Sequence, residues 1–193
     1  MSEFVRWAGT FRLTDGATLT WTVADGSRGR RWRATSTMAG AITHALLLEV
    51  DLAGRPARLE LSTPAGLLTL HPDLPGTSLH GNIVSAGGVQ PVVFDWSPDH
   101  ALSVDGRPIG DAVTARRITD STRVGERRSV PVIAIGADLS LREAVYGFEP
   151  VRYGIWRISD EAGDRMLRID DRGIPAGLAD SSEWPLEVDP GAS

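Results

Sequence analysis

The side chains that could carry chemistry in this sequence are few in kind. There is no cysteine, and every one of the 20 basic residues is arginine. Thiolate nucleophiles, thiolate metal sites, Schiff-base lysines and a phosphate-loop lysine are therefore excluded. Four histidines remain: His44, His71, His80 and His100. His71 and His80, with Asp73 between them, suggest a metal cluster at first sight. Their spacing follows no metal motif, and a His-Glu-x-x-His helix is absent, so they read as solvated turn residues with no metal and no cofactor expected. No Gly-x-Ser-x-Gly elbow offers a serine nucleophile. The glycine-rich run at residues 81–88 lacks a dinucleotide fingerprint and reads as a bend or bulge in a curved strand. Asp160-Glu161 and Asp170-Asp171 sit at apparent turns. A glycosidase would need two carboxyls facing across a cleft, which sequence does not show.

Tryptophan and arginine stand out instead. Six tryptophans are present against two tyrosines and four phenylalanines. Trp21, Trp32, Trp96, Trp156 and Trp184 fall in or beside expected strands. Trp21 alternates with Leu19 and Val23 and points inward with them; Trp156 alternates with Ile158, while Tyr153 and Ile155 take the opposite face. Such rings either fill a core or line an apolar cavity. Arg28, Arg30, Arg31 and Arg33 surround Trp32, and Arg116, Arg117, Arg123, Arg127 and Arg128 form a second group. Guanidinium groups recognise carboxylates and phosphates, or pair with the abundant aspartates on a solvated strand face.

The elements that must position these groups are strands. In His44 to Leu52, Leu46, Leu48, Val50 and Leu52 share one face, with Glu49 and Asp51 on the other; Ala57 to Leu61 alternates the same way. Period two is the signature of a strand with one face in the core. Asp15-Gly16, Asp25-Gly26, Asp105-Gly106 and Arg172-Gly173 mark tight turns between the runs. The reading gives ten to twelve strands within 3–8, 10–14, 17–24, 30–38, 42–52, 56–62, 66–71, 78–86, 91–96, 100–104, 130–136, 139–147, 151–159, 165–170 and 184–188, some of which fuse or fail. Residues 108–117 make one or two helical turns at most, weakened by Gly110. The expected fold is all-β, a long antiparallel sheet curled into a spiral β-roll or half-barrel with little helix, running as a meander in preference to a parallel sheet. One domain spans 1–188, and 189–193 form a frayed tail.

The 193 residues carry a net charge of -5, are 41% hydrophobic and 23% charged. That composition is globular, and the acidic balance argues against a nucleic-acid partner. No apolar run approaches the roughly 20 residues of a membrane helix, and no secretory signal opens the chain, so the expected location is the cytoplasm.

Several short motifs recur in a fixed order through the second half. Leu79-His80-Gly81 is followed by Phe94-Asp95-Trp96-Ser97-Pro98, Ala115-Arg116-Arg117-Ile118 and Val124-Gly125-Glu126. Ala137-Asp138-Leu139-Ser140-Leu141, Tyr146, Tyr153, residues 168–174 (Arg-Ile-Asp-Asp-Arg-Gly-Ile) and Trp184 complete the series. The series resembles the bacterial glycolipid-binding protein family, whose fold is likened to the lipoprotein carriers. It covers about residues 79–188, and the N-terminal half only by strand pattern. Asn82 replaces a cysteine of that family, and Val104-Asp105-Gly106-Arg107-Pro108 departs from the run before its arginine pair. The resemblance implies a curled antiparallel sheet enclosing an apolar cleft and carries over no catalytic residue. The Arg116–Arg117 pair is the best shared polar feature, able to hold a head group or to salt-bridge Asp95.

The expected function is non-catalytic binding of a glycolipid or other amphiphilic or hydrophobic small molecule in that cleft. The expected contacts are Trp21, Trp32, Trp96, Arg116, Arg117, Tyr146, Tyr153 and Trp156. Two alternatives stand beside it. One is a small hydrolase or isomerase using His and Asp in the same cleft. The other is a structural or assembly protein with a filled core and an exposed edge used for homodimerisation.

Overall fold

The structure is a computed structural model that describes residues 6–178. The expected strand at 184–188, with Trp184, and the tail at 189–193 lie outside the described residues. Strands β1 (Arg6–Arg12), β2 (Thr18–Gly26), β3 (Gly29–Met38), β4 (Ala41–Val50), β5 (Pro56–Thr63), β6 (Gly66–Pro72), β7 (Ser78–Ser85) and β8 (Gly88–Asp95) form an eight-stranded antiparallel sheet in chain order. Next come β9 (Ala101–Val104), α1 (Pro108–Ile118), a 3₁₀ turn (Thr119–Ser121), β10 (Arg128–Ile135), β11 (Leu141–Arg152), β12 (Ile155–Asp160), β13 (Gly163–Ile169) and β14 (Pro175–Leu178). The later strands build a six-stranded sheet in the order β14-β13-β12-β11-β10-β9. The fold is all-β, with an eight-stranded sheet and a curled half-barrel sheet.

The period-two reading finds most of these strands because the eight-stranded sheet has one wet face and one buried face. On the buried face lie Leu19, Trp21 and Val23 of β2, Trp32 and Ala34 of β3, Leu46, Leu48 and Val50 of β4, and Leu59 and Leu61 of β5. Leu52 does not join them: β4 ends at Val50, and Leu52 is 78% exposed in the following turn. Gly16 and Gly106 supply the positive φ of the Asp-Gly turns, at 84° and 66°. The glycine run at 81–88 carries no bulge; its last two glycines stand at the β7–β8 reversal. Gly81 lies in unbroken register opposite Leu70, and a Cβ there would fall 1.8 Å from the Thr69 carbonyl oxygen. Glycine admits this close approach of β6 and β7.

The meander has one exception. β9 and β10 pair in parallel, Ala101 to Val104 against Val132 to Ile135, and α1 is the crossover that parallel pairing requires. This helix is longer than the sequence suggests, and the reason is its surroundings. From Pro108 to Ala115 every residue is buried. Ile109 and Val113 join the core against the eight-stranded sheet; Ala112, Ala115 and Ile118 join the core against the six-stranded one. A helix packed on both sides shows no amphipathic stripe. Gly110 is what lets it pack: a Cβ there would stand 2.2 Å from the Leu102 carbonyl oxygen. Gly110→Ala should therefore destabilise by about 1–3 kcal/mol through overpacking, even though alanine is the better helix former. Urea unfolding checks this, and an unchanged midpoint would contradict the close contact.

Candidate functional site

Helix α1 stands between two cavities, one at each of its ends. The larger, about 650 Å³, opens at the N-terminal end. β1 brings Phe11 and Arg12, with Leu13 just beyond it; β9 brings Ser103 and Val104; the helix start brings Arg107, Pro108 and Asp111. From the six-stranded sheet come Arg142 and Tyr146 of β11, Asp160 of β12, and Arg165, Met166 and Leu167 of β13. The smaller cavity, about 460 Å³, lies at the last turns of α1. Val113, Arg116 and Arg117 face Trp32, Arg30 and Asp51 there.

An ion network is built into the wall of the larger cavity. Asp111 Oδ1 accepts a 2.8 Å hydrogen bond from Ser103 Oγ; its Oδ2 accepts from Arg165 Nε at 3.1 Å and Nη2 at 2.8 Å. The remaining arm of Arg165 donates to Asp160. The guanidinium also lies 5.2 Å from the Tyr146 ring centroid, a cation–π contact. Burial pushes the Asp111 carboxyl above its usual range, against the charge and hydrogen bonds of Arg165. Burial also disfavours the charged form of Arg165, yet Asp111 and Asp160 hold its pKa above the ordinary value.

A second buried group lies behind the helix start. The Arg107 side chain is 7% exposed. Its Nη1 donates to Asp15 Oδ2 at 3.0 Å and to the Gly106 carbonyl at 2.9 Å, and its Nη2 donates to His44 Nδ1 at 3.1 Å. It thereby ties the crossover to β4 and to the β1–β2 turn. An arginine can only donate, so Nδ1 of His44 carries no proton and the ring N–H is on Nε2. Burial lowers the pKa of His44, and the Arg107 charge lowers it further, while Asp15 opposes both. Burial raises the Asp15 carboxyl, but the Ala17 amide and Arg107 overcome this and hold it below its usual value.

The His44 shift carries a pH dependence of definite sign. Below about 6.5 the unfolded chain takes up a proton at His44 that the folded chain refuses until its own lower pKa. The unfolded state then binds more protons, so stability falls as pH drops through 6.5. Thermal unfolding at pH 7.5 and pH 5.5 should show this loss, and His44→Asn should flatten that part of the profile. An equal slope in the variant would assign the loss to other groups.

The residues singled out from sequence are dispersed. Trp32, Arg116 and Arg117 meet at the smaller cavity, and Tyr146 lines the larger. Trp21, Trp96, Tyr153 and Trp156 line neither. Trp21 and Trp32 are buried side by side, centroids 5.8 Å apart. Trp96 stacks on His100 at 5.1 Å. Trp156 is buried in the core of the six-stranded sheet. Tyr153 is 86% exposed at the β11–β12 turn, so it touches no cleft. Arg117 makes no bridge to Asp95; it donates to the carbonyls of Pro98, Asp99 and His100 at 2.8, 2.9 and 3.0 Å and fastens the loop before β9. Arg31 pairs with Glu49 on the solvated strand face, whereas Arg30 lies on the inward face, pairs with Asp25 and stands 5.7 Å and 6.0 Å from the Trp7 and Trp32 ring centroids. His71 and His80 are cross-strand partners with centroids 6.5 Å apart. Asp73 is committed to the amides of Gly76, Thr77 and Ser78, and the Ser78 contacts lead in holding its pKa down at about 2.

Sequence reasoning missed Asp111, Arg165, Arg107 and the role of His44. A signal for one of them was present: the inward alternation of β3, Trp32 and Ala34, continues to Ser36, and that of β4, Leu48 and Leu46, continues back to His44. Polar residues thus occupy inward positions of two adjacent strands.

A crystal structure of a DUF1089 family protein from Pseudomonas aeruginosa is similar to this chain, with 16% identity over 95% of this chain and 94% of that one and a TM-score of 0.55. At that identity the likeness speaks for the fold. No protein-family model and no curated protein matched.

Proposed function

We propose that this chain binds an amphiphilic small molecule, a glycolipid or similar, in the larger cavity without transforming it. The observation that supports this reading is the cavity's composition. About 650 Å³ is ordinary for a small-molecule site. Phe11, Leu13, Val104, Met166 and Leu167 give it an apolar wall, while Arg12, Arg107, Arg142 and Arg165 and several aspartates stand around it. An alkyl chain buried there gains about 25 cal/mol per Å² of apolar surface. Catalysis is the weaker reading on a specific ground. No histidine lines this cavity, and its two least exposed carboxylates, Asp111 and Asp160, are both engaged by Arg165. Among the described residues no helix is long and apolar enough to cross a membrane.

Native mass spectrometry before and after solvent extraction tests the proposal. A lipid-sized adduct that extraction removes, and that Met166→Glu abolishes, is the expected result. Adduct-free protein from several hosts, with no tryptophan fluorescence change on titration with glycolipids or fatty acids, would overturn it.

A further inference from the structure

The second arginine group of the sequence gathers only in part. Arg117 and Arg128 line a third cavity, about 480 Å³, where α1 ends, and Arg55 joins them from the β4–β5 turn. Part of its wall is a strand edge. β9 pairs with β10 only from Val132 to Ile135, so among the described residues Arg128 to Pro131 have no ladder partner on that side. The loop before β9 contributes Ser97, Pro98 and Asp99.

Arginines with fixed partners elsewhere in the fold mostly meet carboxylates, as Arg31, Arg107, Arg157 and Arg165 do. Arg117 and Arg128 do not. Arg117 is fixed in place by three backbone carbonyls. Arg128 is exposed and donates to a neutral group, Ser121 Oγ, at 2.6 Å. Arg55 holds Asp51 through Nε at 2.7 Å and Nη2 at 2.6 Å, which leaves Nη1. The three cations are near enough to act on one another. Burial disfavours the charged form of Arg117, and Arg128 and Arg55 disfavour it further, against the opposing charges of Asp99 and Asp51. Among the described residues that line the cavity, Asp99 is the one carboxylate. Three guanidiniums to one carboxylate is a local excess of positive charge in a chain of net charge -5.

Such a cavity is matched by an anion from outside. A carboxylate offers two oxygens and one charge. A phosphate monoester offers three terminal oxygens and about -1.5 to -2 charges at neutral pH, one oxygen for each guanidinium. The volume is in the range of small-molecule sites, and Ile118, Val130 and Pro131 give it an apolar wall for the rest of the ligand. We propose that Arg55, Arg117 and Arg128 form a phosphoryl-binding site for a soluble phosphate monoester. It is separate from the amphiphile cavity and stands or falls independently of it.

Calorimetric titration of the full chain with glycerol 3-phosphate and with acetate, at matched ionic strength, tests it. Glycerol 3-phosphate should bind at least about tenfold more tightly than acetate, the effect of added charge-assisted hydrogen bonds. Arg128→Gln should weaken it at least about tenfold with the melting temperature held, because this exposed side chain gives up a single surface hydrogen bond. Asp99→Asn should strengthen it a few-fold, by removing the carboxylate that repels the phosphate. Arg127→Gln removes the same charge from the next residue, whose side chain lies over Gly147 outside the cavity; it should change the affinity by about twofold at most. Arg117 is left intact because it fastens the loop. No binding, equal affinity for acetate, no gain in Asp99→Asn, or a loss in Arg127→Gln as large as in Arg128→Gln would each overturn the site. Flotation with phosphatidic acid vesicles by a protein that ignores glycerol 3-phosphate would overturn the soluble ligand.

Discussion

Replacing Arg165 with methionine should lower the free energy of unfolding by about 3–5 kcal/mol, the cost of leaving a buried carboxylate without its cation. Asp111 is 5% exposed and depends on Arg165 for two of its three hydrogen bonds, and Asp160 depends on the same guanidinium. The double variant Arg165→Met/Asp111→Leu should recover a large part of the loss, because it removes the charge along with its partner. Chemical denaturation of the three proteins measures both numbers. A loss under about 1 kcal/mol for the single variant would mean that the pair behaves as an exposed one. The cycle also bears on the cavity. If Arg165 mainly holds the wall together, fatty-acid affinity should fall with the single variant and return with the double.

Trp32→Ala should cost about as much, about 3–5 kcal/mol, by emptying the largest kind of side chain from a packed core. Trp32 is fully buried, rests against Trp21 and lies 6.0 Å beneath the guanidinium carbon of Arg30. Urea unfolding gives the loss. The same variant separates the two roles a tryptophan here can have. A core residue costs stability and leaves ligand affinity at the larger cavity within about twofold, since Trp32 lines only the smaller one. A large loss of fatty-acid binding in a stably folded variant would instead place the ligand on the Trp32 side of α1.

Much of the architecture is legible in sequence because the eight-stranded sheet obeys a simple rule. Each strand pairs with its chain neighbour, one face is wet, and a turn residue marks each reversal. The alternation of Leu46, Leu48 and Val50 against Glu49 is enough to locate β4 and its inward face. Helix α1 is located at residues 108–117 but read as weaker than it is, because its burial on both sides erases periodicity and because Gly110 reads as a helix breaker when its purpose is contact with Leu102. The parallel pair β9–β10 escapes notice. Trp21, Trp96, Trp156 and Tyr153 show why aromatics mislead: strand alternation tells inward from outward, not cavity from core. Asp111 and Arg165 are 54 residues apart in the chain, and no local pattern joins them. They meet only because α1 is laid against β13.

The order in which the chain is made gives the buried helix one more significance. Seven successive hairpins can zip β1 to β8 together from local contacts alone, which is the fast way to build a sheet. That half-finished sheet presents Trp21, Trp32, Leu48 and Leu61 to water, and it ends in two bare edges, β1 and β8. The residues that share its core, Leu102, Val104, Ile109, Val113, Ile133 and Ile135 among them, all come later in the chain. A sheet left uncovered in this way would invite aggregation, and the first segment to cover it includes a weak helix former that depends on the sheet for its shape. Each half is the template on which the other becomes stable.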